Sequence, residues 1–228
     1  MKAYKTNLIL IFLLLGISPW AFSASAEMSS KHLRLVKDLM NNNLAYSQDA
    51  TTTNIIEWEE EIVDSLRQKK DYRNMFLMKQ MAVYAYSLQA KISEALKKAD
   101  AMMDEARLMK YNIGISLSYQ ALGDIYLNAG MRPEAVEEYE KAMKTLQATP
   151  HAEKIQERIF IQLVPTLIKL KRMDEAKAYL EHMSEICESK CLSPFLLYAY
   201  HAYYYLRNND LSKAREYIDE AIKINSRT

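Results

Sequence analysis

Between Tyr119 and Ala142 the chain sets small and aromatic residues at helical spacings on both sides of a glycine turn. The run reads Tyr119-Gln-Ala-Leu122-Gly123-Asp-Ile-Tyr126, then Asn128-Ala-Gly130, then Ala135, Tyr139 and Ala142. Small residues at Gly123, Ala135 and Ala142 let two helices approach closely, and Tyr126 and Tyr139 fill the spaces beside them. Gly130 tolerates the left-handed conformation that closes the first helix. Such a segment constrains the fold to closely packed, antiparallel helices. Only 4 Gly and 5 Pro occur in 228 residues, too few for a β-sandwich or barrel that turns about every 8–12 residues. With 50% of residues hydrophobic, the chain can offset its ordering entropy by burial, which excludes a disordered class. The balance of 30 basic against 29 acidic residues gives no bulk drive toward nucleic acid or an anionic membrane.

The Tyr119–Ala142 run resembles the tetratricopeptide repeat, a helix-pair unit of about 34 residues. The resemblance implies an all-α, right-handed α-solenoid of antiparallel helix pairs. Anchored on the first alanine of each second helix, the frame recurs at Ala95, Ala135, Ala176 and Ala214, at intervals of 40, 41 and 38. The linkers between units are therefore longer than the family norm. In the fourth unit Ala202 and Tyr205 stand at the Gly123 and Tyr126 positions, and Ala221 closes the second helix. Val83, Tyr86 and Met102 fill those places in the first unit, and Val164, Leu167 and Met183 in the third. The repeat domain spans 71–228, with units at about 71–111, 112–151, 152–192 and 193–228. About ten helices are expected, at 30–47, 54–70, 71–88, 92–109, 113–129, 133–148, 152–171, 173–189, 194–208 and 211–225.

Ahead of the repeats, residues 27–70 read as a helical pair, either a cap or a divergent repeat, since an exposed solenoid end leaves an apolar face in water. Gln48 to Thr53 form a polar break, and Ile55, Trp58, Ile62 and Leu66 recur as one helical stripe. Glu59, Glu60 and Glu61 read as a solvated face. Residues 1–26 have the pattern of a signal peptide: Lys2 and Lys5, an apolar run from Leu8 to Ile17, Pro19, and Ala24-Ser25-Ala26. Cleavage there takes away two lysines and no acid. No second apolar run is long enough to cross a bilayer. An exported mature chain, not inserted in the membrane, is expected, with the periplasm favoured over the outside medium as its destination.

Cys187 and Cys191 flank Glu-Ser-Lys near the end of a second helix. In an oxidising compartment a lone pair defaults to a disulfide, which fits best if the helix ends near Cys187. Free thiols, a redox role, or a metal site with His182 and Glu185 are the other readings. The spacing is not C-x-x-C, and no second ligand cluster supports a metal. No G-x-S-x-G, H-E-x-x-H, G-x-G-x-x-G or phosphate-cradling glycine loop is present. The expectation is a protein without catalysis, metal or cofactor.

What the resemblance implies for function is a concave groove that binds a protein or peptide segment. In the repeat frame its lining would be Gln80 and Tyr84, then Gln120, Asp124 and Asn128, then Arg158 and Lys169, then Tyr203 and Arg207. Tyr84 and Tyr203 are expected to be exposed there, and Tyr198 and Tyr205 to face partner helices. Some family members grip a C-terminal carboxylate through a Lys/Asn/Arg set. Gln80 and Tyr84 stand where the first Lys and Asn would be, so that clamp is not expected. Pro165 falls at a groove position, where a helix kink is expected. The last helix carries Leu211, Ala214, Tyr217, Ile218, Ala221 and Ile222 as an apolar stripe, an expected contact for a partner or a second copy. The expected function is an exported scaffold or adaptor. The alternative is a sensory or signal-relay module, since the repeats are similar to the periplasmic repeat regions of some bacterial sensor proteins.

Overall fold

The computed structural model describes residues 48–190 and 194–225. Within them the chain forms nine α-helices and no strand. These are α1 (Gln48–Gln68), α2 (Tyr72–Leu88), α3 (Ile92–Leu108), α4 (Asn112–Asn128), α5 (Arg132–Leu146), α6 (Glu153–Lys169), α7 (Met173–Lys190), α8 (Pro194–Arg207) and α9 (Leu211–Asn225). The expected all-α solenoid of helix pairs is what the chain forms. The segments expected as a signal peptide and as a helix over 30–47 lie outside the described residues, as does Cys191.

Six of the helices, α1 to α4, α6 and α8, are stopped by the same device. Left-handed residues recur every 20 or 21 positions at Lys70, Ala90, Lys110, Gly130, His151 and Lys171, and again at Asn209. At six of these turns, all but that of His151, the amide after the left-handed residue returns to the carbonyl three residues before the cap. Lys91 to Tyr86 (3.0 Å) and Met131 to Tyr126 (2.9 Å) are examples. This closure satisfies carbonyls that a helix end otherwise leaves bare. Only the turn at Gly130 uses glycine, so the sequence marks one stop openly and hides the others behind lysine, alanine, histidine and asparagine.

One boundary differs from the sequence reading. The polar break at Gln48–Thr53 is helical, part of α1. With no Gly or Pro in the way, extending an existing helix costs far less than nucleating one, so polar residues continue it. The helix bearing Cys187, expected over 173–189, runs to Lys190, past the end near Cys187 that would suit a disulfide best. Cys187 is disulfide-bonded.

Packing follows the small residues. Gly123 meets Tyr139 so closely that a Cβ there would lie 2.6 Å from the ring. Ala135, Tyr139 and Ala142 are fully buried against α4, and Ser116 Oγ donates to the Ala142 carbonyl at 3.0 Å. Helix α1 packs on α2, and its Glu59, within the run read as solvated, is buried and paired with Lys98 of α3. Glu60 and Glu61 are exposed, as that reading has them. The first helices of successive pairs, α2, α4, α6 and α8, each touch the next, whereas contacts between successive second helices are sparser among the described residues. That asymmetry curves the stack with the first helices on its inner side.

Helix α6 continues through Pro165. Proline has no amide to give the carbonyl four residues back, which is that of Ile161. The Tyr200 hydroxyl of α8 donates to this carbonyl at 3.1 Å. A defect inside one helix thus becomes a tie between two units.

Candidate binding surface on the first helices

The residues assigned to the groove by the repeat frame separate into two groups. Gln80, Gln120, Asp124 and Arg158 are buried, at 3%, 2%, 7% and 4% exposure, and so form the floor between helices rather than an open lining. The reason is reach. The i and i+4 residues Gln120 and Asp124 share one face of α4, and the long Arg158 side chain from α6 crosses to α2, roofing that face. Its Nη2 donates to Gln80 Oε1 at 2.8 Å. Gln80 Nε2 in turn lies 3.5 Å from Asp124 Oδ2, and the Tyr139 hydroxyl of α5 donates to Asp124 Oδ1 at 2.7 Å. One polar chain therefore joins four helices and three helix pairs.

The electrostatics of this floor are unusual for carboxylate and guanidinium. Burial pushes Asp124 up to about 6, against the opposing effects of the Tyr139 hydrogen bond, the Arg158 charge and the Gln80 hydrogen bond. Burial lowers Arg158 to about 10, with Asp124 opposing and Arg73 reinforcing the fall. Arg158 Nε and Nη1 and Gln120 Oε1 find no hydrogen-bond partner among the described residues. Burial, then the Asp124 charge, raise the Tyr84 phenol.

The second group is accessible. Asn128, Lys169 and Arg207 are exposed at the C-terminal ends of α4, α6 and α8. Asn128 Nδ2 donates to Ser87 Oγ at 3.0 Å, joining the ends of α4 and α2. Tyr84 and Tyr203, expected to be exposed, are half-buried, and Tyr203 packs on the core. Their apolar bodies are covered by the curvature that brings the first helices together. Tyr198 and Tyr205 do face a partner helix, with ring centroids 6.0 and 5.4 Å from that of Tyr217 on α9.

Two residues of the floor escaped the repeat frame. Tyr139 reads as a space-filler, yet its hydroxyl anchors Asp124; the clue was that a buried tyrosine tip needs a partner. Arg73 adds positive charge near Arg158 without any motif to mark it.

Elsewhere, His201 Nε2 lies 3.0 Å from Ser184 Oγ. Ser184 Oγ also donates to the Leu180 carbonyl at 2.8 Å. His182 sits 4.0 Å from Glu185 on an exposed face of α7. On α9 Ala214 and Ala221 are buried, whereas Leu211, Ile218 and Ile222 are exposed at 64%, 45% and 60%. The expected stripe is thus split between an inner and an outer edge. No helix among the described residues is long and apolar enough to cross a membrane.

A search of curated proteins found no match. The tetratricopeptide-repeat family model matches residues 117–145 and 197–228. Those stretches lie on pairs α4–α5 and α8–α9, so the chain carries helix pairs of the tetratricopeptide kind, a type of unit that serves protein–protein interaction.

Proposed function

We propose that the protein is an exported interaction scaffold that holds a peptide or protein segment along its first helices, without turnover. The observation that carries this reading is the continuous inner row α2, α4, α6 and α8. Its accessible side chains are tyrosine, asparagine, lysine and arginine, and tyrosine and arginine are types that dominate binding energy at protein interfaces. The buried chain from Gln80 to Arg158 fixes the spacing of the row beneath them. A preformed surface loses little entropy on binding, which favours a segment laid across several pairs. Export rests on the pattern of residues 1–26.

The test is capture from an envelope fraction, comparing wild type with Tyr203→Ala/Arg207→Ala and with Lys97→Ala/Glu137→Ala on the second helices. The first pair of changes is expected to lose the captured partner while the helical content stays. The second is expected to keep it. Equal capture by all three proteins overturns the assignment of the inner row.

A further inference from the structure

The contact between the second and third helix pairs has an unfinished look on its inner side. Helices α4 and α6 touch over a shorter stretch than α2 and α4. Arg158 reaches from α6 across that gap, but the acceptor of its one recorded hydrogen bond is Gln80, a neutral amide on α2. The carboxylate of opposite charge, Asp124, lies within its electrostatic reach and accepts instead from Tyr139 and, at a long 3.5 Å, from Gln80. Two Arg158 donors, Nε and Nη1, have no partner among the described residues. A buried cation with spare donors beside a loosely held carboxylate oxygen defines two arrangements of one set of side chains.

We propose that Asp124 is a pH-dependent latch: protonated, it leaves Arg158 on Gln80; ionised, it draws Arg158 onto its own Oδ2 and ties the third helix pair directly to the second. In the protonated form the Tyr139 hydroxyl donates to Oδ1, as it does in the structure, the proton resides on Oδ2, and Gln80 Nε2 lies 3.5 Å from that oxygen. Loss of the proton frees Oδ2 as a charged acceptor. Tyr139 keeps its bond to Oδ1, and a charge-assisted bond from Arg158 replaces the weak amide contact at Oδ2. The charge that appears on Asp124 is neutralised where it forms, which a buried carboxylate requires.

The groups facing Asp124 support this assignment from each element packed on α4. Helix α2 presents Gln80 and Tyr84, with Arg73 beyond them acting on Arg158. Helix α5 presents Tyr139 and α6 presents Arg158. Helix α3 joins α4 through Ala95 and Ala99, in one apolar cluster with Ala121 and Ile125. Burial places the carboxyl titration near 6, so the exchange falls in a range that a cell compartment can cross.

The test is a nuclear magnetic resonance titration of the purified protein, in the form its expression host delivers, between pH 4.5 and 8.5. The Asp124 Cγ resonance is expected to titrate with a midpoint between about 5 and 7. The Arg158 Nε–H resonance should move with the same midpoint, and its protection factor, the exchange rate corrected for base catalysis, should rise about tenfold or more on the alkaline side. In Asp124→Asn the Arg158 signal should stay constant across the range. In Tyr139→Phe, which removes a hydrogen bond favouring the carboxylate, the midpoint should rise. An Asp124 midpoint in the ordinary carboxylate range, or an Arg158 signal that ignores it, overturns the latch.

Discussion

At the scale of single residues, two side chains carry consequences that can be measured. The Tyr139 ring fills the space that Gly123 leaves, and an added Cβ would lie 2.6 Å from it. The ring cannot retreat, because it is fully buried and its hydroxyl is held by Asp124. Gly123→Ala should therefore destabilise the fold by about 1–3 kcal/mol, as overpacking does, read as a lower urea midpoint. Asp124 gives the pH dependence. Its folded value of about 6 lies above the unfolded value near 3.8, so the folded state binds the proton more tightly. The resulting stabilisation is fully present below about pH 4 and lost as pH rises through about 6. Measured as wild type minus Asp124→Asn, unfolding free energy should fall by about 2–3 kcal/mol from pH 4 to pH 8. A flat difference across that range would show that the carboxyl is not held in this environment.

At the scale of elements, the Pro165–Tyr200 tie predicts a coupling. Tyr200→Phe leaves the Ile161 carbonyl without its donor, at a cost of about 1–2 kcal/mol. In a Pro165→Ala background the restored amide serves that carbonyl, so Tyr200→Phe should cost clearly less. Additive costs in this double-mutant cycle would deny the tie. The elements were largely legible in the sequence because helical packing writes itself in small and aromatic residues. Gly123, Ala135, Tyr139 and Ala142 sit where the repeat frame puts them, and Ala95, Ala176 and Ala214 are buried at the same position of their helices. What stayed hidden is what depends on cooperative propagation or on the turn backbone. The polar Gln48–Thr53 stretch is helical with no apolar stripe to announce it. The turns at Lys70, Ala90 and Lys110 use a left-handed backbone that their side chains disfavour. Ala90→Gly should accordingly raise stability by about 0.5–1 kcal/mol, a gain readable by chemical denaturation.

At the scale of the whole molecule, the buried floor was the least legible feature. The frame set Gln80, Gln120, Asp124 and Arg158 along an open groove, whereas all four are buried and three of them, Gln80, Asp124 and Arg158, are linked in one polar chain. It could not show that Arg158 spans from α6 to α2, because the length of a side chain and the curvature of a stack combine only in three dimensions. Burial of these four leaves Asn128, Lys169 and Arg207, with half-buried Tyr84 and Tyr203, as what a bound segment would meet. The measurement that tests this account most directly is photo-crosslinking in intact cells, with a photoreactive residue placed in turn at Asn128, Lys169 and Arg207 on the inner row and at Lys97 and Glu137 on the second helices. Crosslinks to one partner from the three inner positions and none from the two outer ones are predicted. Crosslinks to that partner from Lys97 or Glu137, with silence along the inner row, would contradict it.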